Sequence, residues 1–296
     1  MATLYTQQDK NVRKTGFLMA EFLCLIVVLG YFISYYYNNP SIVYIALVFA
    51  MGMNIFSYWY SDRIALSLAR AHPADRTQYP DLFRSVENLS ITAGLPMPRL
   101  YIITDSAPNA FATGRSHRTA VVAVTRGITE ILDNNELRSV LAHELGHVKN
   151  RDMLVSTIAA TVGGAIAILA EMAFWGGAFF GGGDEEEGNN FIGSLAMMIL
   201  APFAALLIQM AVSRSREYLA DQHGKHLVGN GNDLASALQK LEDFKPKVSK
   251  LKPTARQDAS AHLMFMNMFS AQGLASLFAT HPSTKSRIEK LTTKEQ

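Results

Sequence analysis

The chain has 296 residues, enough for one sizeable domain or for a smaller domain joined to membrane helices. Apolar residues make up 49% of it and mean hydropathy is +0.10 although 18% of the residues are charged, so apolar blocks must alternate with ordinary charged stretches. A net charge of +2, with no basic stripe interleaved with aromatics, argues against a nucleic-acid partner; a lone cysteine, Cys24, excludes a disulfide framework and a CxxC metal site, leaving any metal to His and carboxylate ligands.

Residues 1–15 read as a cytoplasmic tail, and residues 16–60 as a transmembrane hairpin. Gly16 to Tyr37 is an apolar run long enough to cross a hydrocarbon core of roughly 30 Å as a helix. Asn38-Asn39-Pro40 then reverses the chain into a second run, Ser41 to Tyr60. A cleaved signal peptide does not fit, because no small-x-small site follows the first run and a second span comes at once. Tyr35 to Tyr37 and Tyr58-Trp59 sit where interfacial aromatic anchors are expected.

Residues 61–153 form a polar segment. Asp81 to Leu95 carries Leu82, Val86 and Leu89 at helical spacing. Arg99 to Ile103 and Thr119 to Val124 read as strands, and Asn109 to Gly114 as an edge strand between them. From Asp133 a helix is predicted, with Asp133 as N-cap and Glu136 completing a capping box, running through Asn150. Residues 154–212 form a second hydrophobic hairpin, in the membrane or associated with it, with blocks at Leu154–Phe180 and Phe191–Val212; a buried hairpin in a soluble domain is the competing reading. Residues 213–296 return to polar sequence, with helices over Ser213–Val228 and Asn232–Phe244 and a basic loop over Lys245–Ala259.

Charge placement orients the chain. Every Lys and Arg lies in Met1–Thr15, Ser61–Met153 or Ser213–Gln296, while the loop Gly181–Asn190 carries Asp184 to Glu187 instead. The positive-inside rule then places both termini and the middle segment in the cytoplasm.

The chemistry centres on His143-Glu144-Leu145-Gly146-His147. On a helix, positions i and i+4 share a face, so both imidazoles can reach one ion. Glu144 is rotated about 100° away, out of the ligand set but near a metal-bound water whose proton it can take. Catalytic zinc usually has three protein ligands and an open position. Glu217, opening the helix after the second hairpin, is the best third ligand; His223 and His226 are rivals on other faces. Asp221, one turn beyond, can accept a hydrogen bond from the distal nitrogen of His143. The bland alternative pairs Glu217 and Asp221 with Arg214, Arg216 or Lys225 on a solvated surface.

The set HELGH, SRSREYLAD about seventy residues later and LFATHPSTKSRI near the end, together with NAFATG and two early spans, resembles the HtpX family of membrane-bound bacterial zinc proteases, relatives of the CAAX prenyl proteases. The resemblance implies a gluzincin-type domain holding one Zn2+ per chain through His143, His147 and Glu217, with Glu144 as general base. It also implies that the edge strand at Asn109, Ala110, Phe111 and Ala112 pairs with substrate backbone, which agrees with how extended peptides add to sheet edges. His281, in Thr280-His281-Pro282, is a candidate to stabilise the developing oxyanion, guided by that motif, with a turn-capping role as alternative; Tyr218 is a weaker candidate. Met264, Met266, Met268, Phe265 and Phe269 could line a substrate groove or form ordinary core.

The expected fold is α+β: a helical zincin-like protease domain with a small sheet, anchored by up to four transmembrane helices. The expected function is endopeptidase cleavage of membrane or misfolded polypeptides at the cytoplasmic face of the bacterial inner membrane, with the lipid bilayer as partner. The resemblance adds a role in quality control and stress. A prenyl-protein protease and an inactive membrane scaffold are the alternatives; the presence of Glu144 speaks against the second.

Overall fold

A computed structural model describes residues 4–36, 38–158, 214–248 and 282–293. The apolar blocks beyond residue 158, His281 and the Met264–Phe269 stretch lie outside these residues.

Two long antiparallel helices open the chain, α1 (Leu4–Tyr36) and α2 (Ser41–Leu68). Each contains a run long and apolar enough to cross a membrane, Asp9–Phe32 and Ser41–Leu68. Their outer surfaces leave large apolar side chains uncovered, Tyr35, Tyr44, Ile45, Val48 and Phe56 among them, a pattern that calls for a lipid or protein partner. Where the helices touch, side chains are small: a Cβ on Gly30 would lie 2.4 Å from the Cβ of Ala46. Asn54 donates to the Met19 carbonyl of α1 at 3.0 Å, a polar tie between helices of the kind used where no water is available.

Both helices outrun their apolar blocks. α1 is already helical at Leu4, within the expected tail, and α2 continues past Tyr60 to Leu68. The last turns of α2 carry Ala65 and Leu66, which pack with Ala69 on Ile103, Phe111, Val121 and Ala123 of the sheet. Arg99 pairs with Asp62 of α2 at 3.0 Å.

That sheet has four strands in the order β1-β2-β4-β3: β1 (Ala71–Pro73), β2 (Arg99–Ile103), β3 (Ala110–Thr113) and β4 (Val121–Thr125). β1 runs antiparallel to β2, β2 parallel to β4, and β3 antiparallel to β4 with Ala112 opposite Val122. β1 escapes sequence reading because His72-Pro73 carries no strand pattern. The other face of the sheet, Leu100, Ile102, Val122 and Val124, meets α3 (Pro80–Ala93) and α5 (Asn134–Asn150) in the main core. β4 is buried along its whole length because helices cover both faces. A short helix, α4 (Arg126–Ile131), follows it.

α5 is the central helix. Asp133 caps it by accepting from the backbone N–H groups of Asn135 and Glu136, while Glu136 reaches back to the N–H of Asp133 at 3.0 Å. Glu136 is buried and also accepts from Ser236 and Lys240, each at 2.7 Å. Burial works against its charge, but Lys240, Ser236 and the Asp133 N–H outweigh burial and hold its pKa below the usual carboxylate range. A depressed folded-state pKa contributes stability above the unfolded-state value, lost as pH falls through the folded one. Glu136→Gln should therefore cost about 1–3 kcal/mol near neutral pH, and denaturant titrations should show the gap to the parent closing in acid.

After α5 the chain turns at Arg151 and resumes as a helix, α6, described over residues 152–158. The remaining described elements are α7 (Arg214–Val228), α8 (Asn232–Val248) and α9 (Thr284–Thr292). α8 runs through Lys245-Pro246, where a loop was expected, with Pro246 in its final turn. Leu234, Leu238 and Leu241 of α8 close the core around α5 with Leu291 of α9.

Candidate metal centre

α5 and α7 cross closely because the residues between them are small. A Cβ on Gly146 would meet the Ala220 backbone at 3.1 Å, and one on Gly224 would lie 3.1 Å from the backbone nitrogen of His143. Gly224→Leu should force the helices apart at the metal site. We expect a loss of about 1–3 kcal/mol in stability and weakened metal binding, read by thermal melts with and without added metal.

The crossing brings His143, His147 and Glu217 together: one ligand atom from each lies within 4.8 Å of the others. Nε2 of His143 and Nε2 of His147 are 3.1 Å apart, and the Glu217 oxygens are 3.8 and 3.6 Å from them. Metal–nitrogen bonds of about 2.0–2.1 Å at tetrahedral angles place two ligand atoms about 3.3 Å apart, so the spacing suits a zinc-sized ion. All three residues are largely buried, not spread on a solvated surface.

The hydrogen bonds around the rings fit the same conclusion. Nδ1 of His143 lies 2.8 Å from Oδ1 of Asp221, and Nδ1 of His147 lies 3.1 Å from both oxygens of Asp152. A carboxylate at Nδ1 fixes the proton there, so in the neutral rings both Nε2 lone pairs face each other beside a carboxylate. A bound cation, or a proton shared between the two nitrogens, relieves that arrangement. Among the described residues of the site, Glu144, Asp152, Glu217 and Asp221 are buried carboxylates and Arg216 and Arg287 buried guanidiniums; with both histidines neutral and all four carboxylates ionised, the surplus of two negative charges matches one divalent ion.

The protonation preferences follow. Burial pushes His143 down, against the pull of Asp221. Burial also opposes charge on His147, but Asp152, Glu217 and Glu144 outweigh it and hold its pKa up at about 10. Without metal, the site thus gathers positive charge where the ion would sit. Glu144, 2% exposed, is raised to about 7 by burial, while His147, Arg287 and the Ala112 N–H favour its ionised form.

Asp221 is held from behind by Arg287 of α9, which donates from Nε and Nη2 at 2.8 and 2.6 Å. Nη1 of Arg287 is 3.7 Å from Glu217. Neither Arg287 nor Asp152 was among the residues singled out from sequence. Asp152 lies only five positions after His147, but on a continuing helix it would face away from that ring; Arg287 lies 66 positions from Asp221 and has no local signal.

Other candidates fall elsewhere. His223 is within 3.4 Å of the Asn150 side chain, and neither it nor His226 joins the ligand cluster. The Tyr218 hydroxyl is hydrogen-bonded to Ser286, and Lys290 lies over its ring. Asn109, Ala110, Phe111 and Ala112 lie on β3 and immediately before it, at one end of the sheet and packed beside α5. Asn109 and Thr125 exchange hydrogen bonds, the Asn109 N–H going to Oγ1 and its carbonyl accepting from the Thr125 N–H. The alternation of an antiparallel pair then turns the N–H and C=O groups of Ala110 and Ala112 to the edge away from β4. There the Ala110 N–H is taken by the Asn109 side chain at 2.8 Å and the Ala112 N–H by Glu144.

Comparison with known proteins agrees with this geometry. Residues 76–295 match the model of Peptidase family M48. The chain is 48% identical over 282 residues to a Protease HtpX homolog from Paraburkholderia phytofirmans, covering 95% of this chain and 96% of that one. It is 49% identical over 247 residues to the homolog from Persephonella marina, covering 83% and 86%. The homolog from Thermococcus kodakarensis is 45% identical over 279 residues, covering 94% of both chains. In fold, the chain is similar to the crystal structure of S. mikatae Ste24p, with a TM-score of 0.52 at 19% identity, covering 98% of this chain and 67% of that one. A helical body with a small mixed sheet, a buried His-His-Glu cluster and likeness along nearly its whole length to HtpX proteases place the chain in Peptidase family M48, as a metalloprotease of the HtpX group.

Proposed function

We propose that the chain is a zinc-dependent endopeptidase anchored in the bacterial cytoplasmic membrane, cutting membrane or misfolded polypeptides at the cytoplasmic face in membrane-protein quality control and stress response. The observation that carries the reading is the meeting of His143, His147 and Glu217 with Glu144 buried beside them. In this reading those three hold Zn2+, Asp221 orients His143, and Glu144 takes the proton from the attacking water. A zinc ion there would supply Lewis acidity, making water a usable nucleophile near neutral pH and polarising the scissile carbonyl.

The substrate backbone is assigned to the edge of β3 away from β4, where Asn109 and Glu144 would release the N–H groups of Ala110 and Ala112 to it and Asn109 and Phe111 fix the strand on β4. An extended peptide added there is held by its backbone, which suits many sequences. His281 is assigned to the oxyanion, six positions ahead of the buried Arg287. Residues 16–60 and 154–212 are assigned as the two hydrophobic hairpins, with residues 61–153 and 213–296 as the cytoplasmic catalytic segments. The exposed apolar faces of α1 and α2 and the confinement of Lys and Arg to the remaining segments support that layout.

The test is metal removal. The full chain in detergent should cleave an unfolded protein, lose that activity on treatment with a chelator, and regain it with stoichiometric Zn2+. Cleavage that persists in protein shown by metal analysis to be zinc-free would end the reading.

A further inference from the structure

The helix that follows α5 is held to the metal ligands on one side and to the membrane helix on the other. Arg151, with φ of 55°, ends α5 in the left-handed region, uncommon for a residue with a side chain. On a continuous helix, residue 152 would lie about 140° around the axis from His147 and about 7.5 Å along it, too far for a carboxylate to reach. The left-handed turn brings Asp152 back, with both oxygens 3.1 Å from Nδ1 of His147. Arg216, beside Asp152 and Glu217, balances its charge.

What fixes Asp152 is the anchor. Leu154, Val155 and Ile158 of α6 pack against Leu18, Phe22 and Ile26 of α1 and Ala50 of α2. The buried Asn11 of α1 donates from Nδ2 to the carbonyl of Asn150 at 3.0 Å, taking one of the acceptors that the end of α5 leaves without a helical partner. Thr157 of α6 is within 3.0 Å of Thr113 on β3, so the same helix also reaches the edge strand. α1 therefore touches both ends of the turn that presents Asp152.

We propose that Asp152 is a positioning residue for the metal ligand His147, and that α1 sets its position through Asn11 and the apolar contact with α6, so that the membrane anchor forms part of the metal centre. This rests on the zinc protease reading. A carboxylate at Nδ1 fixes the ring plane of a ligating histidine and strengthens Nε2 as a donor. Movement of α1 against α5 then shifts the ring that binds the ion.

The experiment measures the Zn2+ dissociation constant of the full chain in detergent, by competition with a chromophoric chelator, and the visible spectrum of the Co2+-substituted protein. Asp152→Ala should weaken zinc binding by about 10–100-fold and alter the cobalt bands. Asp152→Asn, which keeps the shape, should do so in the same direction and decides the matter if the alanine variant does not fold. Asn11→Leu should weaken zinc binding by a smaller factor, with the secondary structure unchanged by circular dichroism. Unchanged affinity and spectrum in Asp152→Asn overturn the role of Asp152, and unchanged values in Asn11→Leu alone overturn the part given to α1. In both cases a parent that binds zinc leaves the protease reading standing; a parent that binds none overturns both.

Discussion

Glu144→Gln should abolish proteolysis and leave zinc in place. The side chain is 2% exposed and outside the ligand set, so an isosteric amide fits the same space and disturbs no metal bond. It can still accept from the Ala112 N–H, as the carboxylate does. It cannot take a proton from water. Burial raises the carboxylate to about 7 while the positive charges of His147 and Arg287 keep its ionised form accessible, which suits a base working near neutrality. Removing a general base typically costs about 10²–10⁴ in rate. Cleavage of an unfolded substrate, alongside metal analysis, checks both halves. A variant that cleaves as fast as the parent would show that Glu144 is not the base.

The second large effect is expected at Glu217. Glu217→Ala removes the anionic member of the His-His-Glu set, leaving only the two imidazoles, and catalytic zinc sites are built from three protein ligands. It also deprives Arg287, 3.7 Å away, and Arg216 of a negative neighbour. The two guanidiniums then add repulsion toward the incoming cation. Changes to the residues that merely orient ligands cost about 10–100-fold in metal affinity, so loss of a ligand should exceed 100-fold. Zinc occupancy after dialysis against a metal buffer reads this directly, and undiminished occupancy would remove Glu217 from the ligand set.

Local signals in the sequence place the elements well and their long-range partners poorly. The capping box at Asp133 and Glu136 marks the start of α5 because both halves of the motif lie within one turn. β2 reads cleanly from Arg99 to Ile103 because β-rich residues there are bounded by Pro98 and Asp105. The spacing of His143 and His147 declares a shared face, and Glu217 follows from the need for a third ligand. Asp152 is hidden because the pattern through Asn150 looks like helix running on, and a left-handed arginine has no sequence signature. Arg287 is hidden because Arg214, Arg216 and Lys225 lie nearer to Asp221 in sequence, whereas the fold brings α9 across instead. The ends of α1 and α2 are misjudged for a related reason: hydropathy marks where lipid would end, not where the helix does.

The unbroken course of α2 joins its apolar run directly to the sheet. Eight residues beyond Tyr60 extend it by about 12 Å, and its tip is built into the sheet that carries β3. In the proposed reading, with Ser41–Tyr60 in the bilayer and substrate on β3, this direct join would hold the cutting edge at a set height, like a blade mounted on a short post. A polypeptide to be cut would then have to bring an unfolded stretch down to that height, which would make selection a matter of distance and slack more than of sequence.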